Sequence, residues 1–194
     1  MITWIASYPK SGNTWVRSFL ANYFSNKDNF SFEQLKIIDK FPKSQLFKQL
    51  NVNTNDFKHI AANWIPMQDF INLKNKTTYL KTHNAMVTLN NNKFTNKENT
   101  KGFIYLVRDP RDVIISYASH LNLTLEKTLD VMMGNLSFSG KDVLLGSWSS
   151  HYNSWNNANF KKIIVRYEDL VNDPNQSFYK IIFILNETND LPIN

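Results

Sequence analysis

The chain contains no cysteine. That excludes a disulfide-stapled scaffold, a thiolate metal site and a cysteine nucleophile. No leader peptide is recognisable, because Met1-Ile2-Thr3-Trp4 runs directly into a short strand-like stretch. No apolar run approaches the roughly 18 residues needed to cross a bilayer. A soluble cytoplasmic protein with no membrane partner is the expectation. Arginine is scarce: Arg17, Arg108, Arg111 and Arg166 are the whole set. Each is expected where a planar, five-donor fork is needed, whereas most lysines sit on solvated faces. No acidic cluster suited to holding a metal is evident, and no repeat, low-complexity tract or linker divides the chain.

What is present fits a single α/β domain. The 194 residues are 42% apolar and 20% charged, enough to close one full-sized core. The formal net charge of +6 suggests an anionic partner. It is weak evidence alone, since lysine and asparagine are abundant throughout. No nucleic-acid recognition motif accompanies the charge.

Three apolar runs read as buried strands, each leading into a turn or a helix start. They are Ile2–Ser7, Phe103–Val107 and Lys162–Tyr167. Such runs, alternating with helical stretches, predict parallel strands covered on both faces. Thr77–Thr82 is a fourth candidate strand and His59–Ala62 a weaker fifth. Helices are expected over Thr14–Phe24, Phe32–Ile38, Met67–Leu73, Pro110–His120, Leu125–Met133, Val143–Ala158 and Asn175–Leu185. Asp109 is a good cap for a helix with Pro110 in its first turn. Asn90–Lys101 reads as an exposed loop.

The sharpest chemical signal is Tyr8-Pro9-Lys10-Ser11-Gly12-Asn13-Thr14-Trp15, between the first strand and the first helix. Such a junction offers free backbone N–H groups and the positive end of a helix dipole to a phosphate. Gly12 allows close backbone approach, Lys10 adds a mobile charge, and Ser11 and Thr14 add hydroxyls. It is not a Walker A loop, because the lysine precedes the only glycine.

The segment Pro-Lys-Ser-Gly-Asn-Thr-Trp resembles the 5′-phosphosulfate loop of sulfotransferases that use 3′-phosphoadenosine 5′-phosphosulfate (PAPS), with Asn13 where threonine is common. Leu106–Tyr117 resembles the same family's 3′-phosphate segment, in which an arginine and a serine eight positions later hold the phosphate; here these are Arg108 and Ser116. Lys81-Thr82-His83 resembles the cytosolic-type Lys-Thr-His, although Asn84-Ala85 replaces the usual Leu-Pro that follows. Gly146-Ser147-Trp148, with His151 and Trp155, resembles a structural helix. Tyr167-Glu168-Asp169 resembles a segment whose tyrosine lies near the nucleotide.

The resemblance implies a three-layer fold, a mainly parallel sheet flanked by helices, P-loop nucleotide-kinase-like. It also implies sulfuryl transfer from PAPS to a small-molecule or carbohydrate acceptor, releasing 3′-phosphoadenosine 5′-phosphate (PAP), without a metal. In this reading His83 is the base. Lys10 and Lys81 stabilise the developing charge. Ser11 to Thr14 hold the 5′-phosphate, Trp15 stacks on adenine, and Tyr167 lies beside the nucleotide. His59, His120 and His151 are expected to be structural, and Phe47, Phe57 and Trp64 to be core rather than acceptor pocket. Family members usually continue to a Gly-x-x-Gly-x-Trp and Arg-Lys-Gly lid, so a domain incomplete at its C-terminus is expected over residues 1–194. A nucleotide kinase and a nucleotide-binding remnant without catalysis are the alternatives.

Overall fold

The computed structural model describes residues 1–26, 31–136 and 142–189. In chain order its elements are β1 (Ile2–Ser7), α1 (Asn13–Ser25), a 3₁₀ helix (Phe32–Ile37), β2 (Asp39–Lys40), α2 (Ser44–Phe47), a 3₁₀ turn (Lys48–Leu50), α3 (Phe57–Ala62) and α4 (Trp64–Asn72). There follow β3 (Thr78–Thr82), β4 (Thr88–Leu89), β5 (Asn92–Lys93), β6 (Thr100–Val107), α5 (Pro110–Leu121), α6 (Leu125–Met133), α7 (Trp148–Asn156), β7 (Lys162–Arg166), α8 (Tyr167–Asn172) and α9 (Pro174–Asn189). The expected α/β fold is present: a five-stranded sheet, ordered β2-β3-β1-β6-β7, with every neighbouring pair parallel.

β1 is central and its six residues are all buried. Its side chains alternate between two cores, as a strand's period of two requires. Ile2, Trp4 and Ala6 pack with Phe41, Phe47, Trp64, Phe94 and Trp155 on one face. Ile5 packs with Val16 and Leu20 of α1 and Ile181 of α9 on the other. Full burial of each large apolar side chain contributes about 1.5–3 kcal/mol, so these two layers fix the sheet between them. Trp4 also donates its indole N–H to Thr100 Oγ1 at 2.8 Å, which satisfies that donor inside the core. Phe47 and Trp64 are fully buried and Phe57 packs against the same cluster, which agrees with their reading as core.

The chain leaves β1 for β2 and β3 on one side and later crosses to β6 on the other. The carboxyl ends flanking β1 are thus a topological switch point, where an open α/β sheet leaves a crevice.

Some elements differ from expectation. His59–Ala62 lies in helix α3, not a strand: Asp56 caps the turn by accepting from Lys58 N at 2.8 Å, and Ile60 and Ala61 turn into the core. The predicted helix from Val143 starts only at Trp148. Gly146 has φ +70°, a left-handed backbone that breaks a helix, and Ser147 then caps α7 by accepting from Ser150 N at 3.1 Å. The Asn90–Lys101 loop contains β5, paired antiparallel to β4, and the first two residues of β6. Phe32–Ile37 winds as a 3₁₀ helix. Asp109 caps α5 as expected, accepting from Arg111 N at 2.9 Å.

Candidate active site

The carboxyl ends of all five strands supply residues to one cavity of about 620 Å³. β1 leads into the loop at residues 9–12, and β2 ends on Lys40. β3 carries Lys81 and leads to His83, while β6 leads to Arg108 and β7 to Tyr167. Ser116 faces in from α5, two turns beyond Pro110. The volume is in the range of small-molecule sites. Its lining includes Lys10, Lys40, Lys81 and Arg108 but, among the described residues, no carboxylate.

Two left-handed residues, Lys10 (φ 66°) and Gly12 (φ 94°), bend the loop into α1. Alternating handedness of this kind turns successive N–H groups toward one concavity. A glycine is required at position 12 for a second reason. A Cβ there would stand 2.6 Å from Cδ2 of Tyr167. The Tyr167 ring lies against the loop and also beneath the Arg108 guanidinium, whose Cζ is 4.3 Å from the ring centroid. Arg108 is further placed by Lys10 O (3.4 Å) and by Asp112 (3.8 Å), while its Nε is buried without a partner among the described residues. Glu168 accepts from Asp109 N at 2.9 Å and so ties the β6–α5 turn, from which Arg108 projects, to α8. Arg111, by contrast, is an exposed residue forked onto Asp109.

His83 has a defined tautomer. Its Nδ1 is 2.7 Å from the Ser7 carbonyl oxygen, which can only accept, so Nδ1 carries the proton. The Nε2 lone pair is therefore free to act as a base. Burial, followed by the charge of Lys81, holds the imidazole well below its ordinary pKa of 6.5, so the ring is neutral at pH 7. Burial, Arg17 and Lys40 together lower the Lys81 ammonium to about 8. His151 is structural, as expected: its Nε2 donates to His83 O at 3.1 Å, and its Nδ1 accepts from Tyr105 OH at 2.9 Å. It thereby fixes the backbone that carries His83.

Of the predicted residues, Lys10, Gly12, Asn13, Thr14, Trp15, Lys81, His83, Arg108, Ser116 and Tyr167 all line the cavity. Ser11 does not; its hydroxyl is buried under the loop with no partner among the described residues. The Asn13 side chain also turns inward, donating to Ile5 O (3.1 Å) and Ser7 Oγ (3.2 Å), and Ser7 Oγ lies 3.2 Å from His83 Nδ1. The loop and the base are thus joined through Ser7, and position 13 offers its backbone rather than its side chain to the cavity. Trp15 is 37% exposed and held edge-on by Tyr167 and Phe178 at 6.2 and 6.0 Å.

Sequence reasoning missed the wall of Tyr117, Leu121, Val143 and Leu145. The extended segment at 143–145 is held by Asn84: Leu144 N donates to its Oδ1 at 2.7 Å, and Ala85 N donates to Leu144 O at 2.8 Å. Lys40 was also missed, because a two-residue edge strand leaves no periodic signal.

Residues 2–190 match the family described as the sulfotransferase domain. Sulfotransferase 1B1 of Canis lupus familiaris is 27% identical over 96% of this chain and 60% of its own length. The amine sulfotransferase of Oryctolagus cuniculus is 23% identical over 91% of the chain and 53% of its own length. The chain therefore spans little more than half the length of these relatives. Among solved structures, it superimposes on retinol dehydratase in complex with androsterone and inactive cofactor PAP with a TM-score of 0.61. Identity there is 18%, over 95% of this chain and 59% of the other. A mouse sulfotransferase complexed with PAP gives a TM-score of 0.54 at 23% identity, covering 99% and 58%. These likenesses establish a shared α/β, P-loop-like fold. With a family match running from the first residue of β1 into the last residues of the chain, this protein belongs to the sulfotransferase domain family.

Proposed function

We propose that this chain carries the nucleotide and sulfuryl-transfer site of a PAPS-dependent sulfotransferase, within one domain over residues 1–194. The observation that carries the reading is the convergence, on one cavity with no carboxylate among the described lining residues, of two separate sets of groups suited to anions and a neutral histidine with a free Nε2. These sets are the residue 9–14 loop and the Arg108–Ser116 pair. Together they suit a nucleotide with phosphates at both 5′ and 3′ positions. The partnerless Arg108 Nε suits an additional oxygen acceptor.

PAPS supplies an activated sulfuryl group on its 5′-phosphate. In this reading backbone N–H groups from Gly12 to Thr14 hold the 5′-phosphate at the start of α1. Arg108 and Ser116 hold the 3′-phosphate by a charge-assisted fork and a hydroxyl. Trp15 offers its exposed face to adenine. The acceptor oxygen attacks sulfur in line: the new O–S bond forms as the S–O bond to the phosphate breaks, and the acceptor proton passes to His83 Nε2. Lys10 meets the charge that builds on the leaving oxygen, and Lys81 meets the equatorial sulfuryl oxygens. Donors already in place for developing charge are worth about 2.7–4 kcal/mol each in other enzymes. Among the described residues no group of three or more His, Cys, Asp or Glu side chains is placed to hold a metal ion.

The test supplies [³⁵S]PAPS with a panel of phenols, aliphatic alcohols and sugars in the presence of a chelator. Label appearing in an organic product, with PAP released in equal amount, is expected. Label transferred to no member of the panel would contradict the proposal.

A further inference from the structure

Lys40 is a fourth cation in the cavity, and the nucleotide reading gives it no task. It ends edge strand β2 in register with Lys81 on β3, so the two side chains project from the same face of the sheet. Both line the cavity. The adjacent carboxylate is engaged elsewhere: Asp39 lies on the opposite face by strand alternation, meets Lys43 Nζ at 3.1 Å, and its charge also bears on Arg17. Arg17, projecting from α1, adds a third positive charge close to Lys81 and is itself fixed by Leu35 O (3.1 Å) and Ile38 O (2.7 Å).

The positive charges that bear on His83 are Lys81 from β3 and Lys40 from β2, both of which oppose protonation of the ring; buried His151 on α7 is neutral, and the Ser7 carbonyl on β1 favours the protonated ring. A base must gain a proton during transfer, so this arrangement works against its own chemistry until an anion enters. PAPS brings anionic charge to Lys10, Arg108 and Lys81. Lys40 lies farther along the sheet, beyond Lys81 as seen from β1. A hydroxyl in hydrogen-bond reach of His83 Nε2 leaves the rest of the acceptor to extend toward that edge.

We infer that the acceptor carries an anionic group, a carboxylate, phosphate or sulfate, near the hydroxyl that is sulfated, and that Lys40 binds it. The inference rests on the proposed function and names the substrate class of that same site. The acceptor anion neutralises the cation cluster and thereby supports proton uptake by His83. The Tyr117–Leu145 wall covers the apolar remainder of the molecule.

Three phenols of similar size separate the possibilities: 4-hydroxyphenylacetate (anionic), 4-ethylphenol (neutral) and tyramine (cationic). Their dissociation constants are measured on PAP-saturated protein, for the wild type and for Lys40→Met and Lys40→Glu. Wild type is expected to prefer 4-hydroxyphenylacetate by about tenfold over 4-ethylphenol, the order of one charge-assisted hydrogen bond. The preference should vanish in Lys40→Met and turn toward tyramine in Lys40→Glu. Equal wild-type affinities, no binding of any phenol, or a preference that survives Lys40→Met would overturn the inference. A uniform loss for all three phenols would also overturn it, by placing Lys40 in the nucleotide site. PAP titrated first in the same cell separates the two readings: failure of PAP to bind contradicts the proposed function itself.

Discussion

His83→Ala is expected to lower sulfuryl transfer about 10²–10⁴-fold, the usual contribution of a general base. PAP affinity should stay within about twofold, since in the proposed role the imidazole acts on the acceptor and not on the nucleotide. The wild-type pH profile of kcat/KM carries the same claim. As the proposed base, His83 works only when neutral, and its pKa lies below 6.5, so the rate should rise with pH along a limb centred below 6.5. In its proposed role Lys81 works only when charged, so the rate should fall again as pH passes about 8. The acid limb should be absent in His83→Ala. The alkaline limb should move out of range in Lys81→Arg, whose guanidinium stays charged. An acid limb that persists without His83 would assign the base to another residue.

The second large effect is expected at Gly12. Gly12→Ala forces a side chain into a left-handed backbone, at a cost of about 1–2 kcal/mol. It also brings Cβ to 2.6 Å from the Tyr167 ring. A ring that yields to it moves from beneath Arg108, so damage to the proposed 5′-phosphate loop reaches the proposed 3′-phosphate site. PAP affinity should drop by ten- to a hundredfold, in line with about 1.5–3 kcal/mol for one lost charged hydrogen bond. Calorimetry measures the loss, and thermal melting with circular dichroism shows that the variant remains folded. Arg108→Lys with Gly12 intact should reproduce much of the effect. Unchanged PAP affinity in folded Gly12→Ala would mean that loop and ring are not coupled.

The parts of this molecule that sequence revealed are those whose physics is local. β1, β6 and β7 are continuous apolar runs because both faces of a parallel sheet are covered. The Pro9–Trp15 loop, the Arg108–Ser116 spacing and Lys81-Thr82-His83 are short motifs, each contained in one strand end and the segment that directly follows it. Features assembled across the chain were hidden. The inward turn of Asn13 depends on Ser7 and Ile5, and the wall at 143–145 depends on a hydrogen bond that Leu144 N donates to Asn84. Lys40 becomes meaningful only once β2 is laid beside β3. His59–Ala62 misled because Ile60 and Ala61 are apolar in either reading, and the deciding residue, Asp56, lies outside the run.

The central claim is that two anion sites on neighbouring strand ends bind one doubly phosphorylated nucleotide. Calorimetric comparison of PAP with adenosine 5′-phosphate tests it most directly. The account predicts that PAP binds about ten- to a hundredfold more tightly, as a bidentate arginine contact to the extra phosphate requires. It also predicts that Arg108→Lys removes most of the difference. Equal affinities for the two nucleotides in the wild-type protein would contradict it.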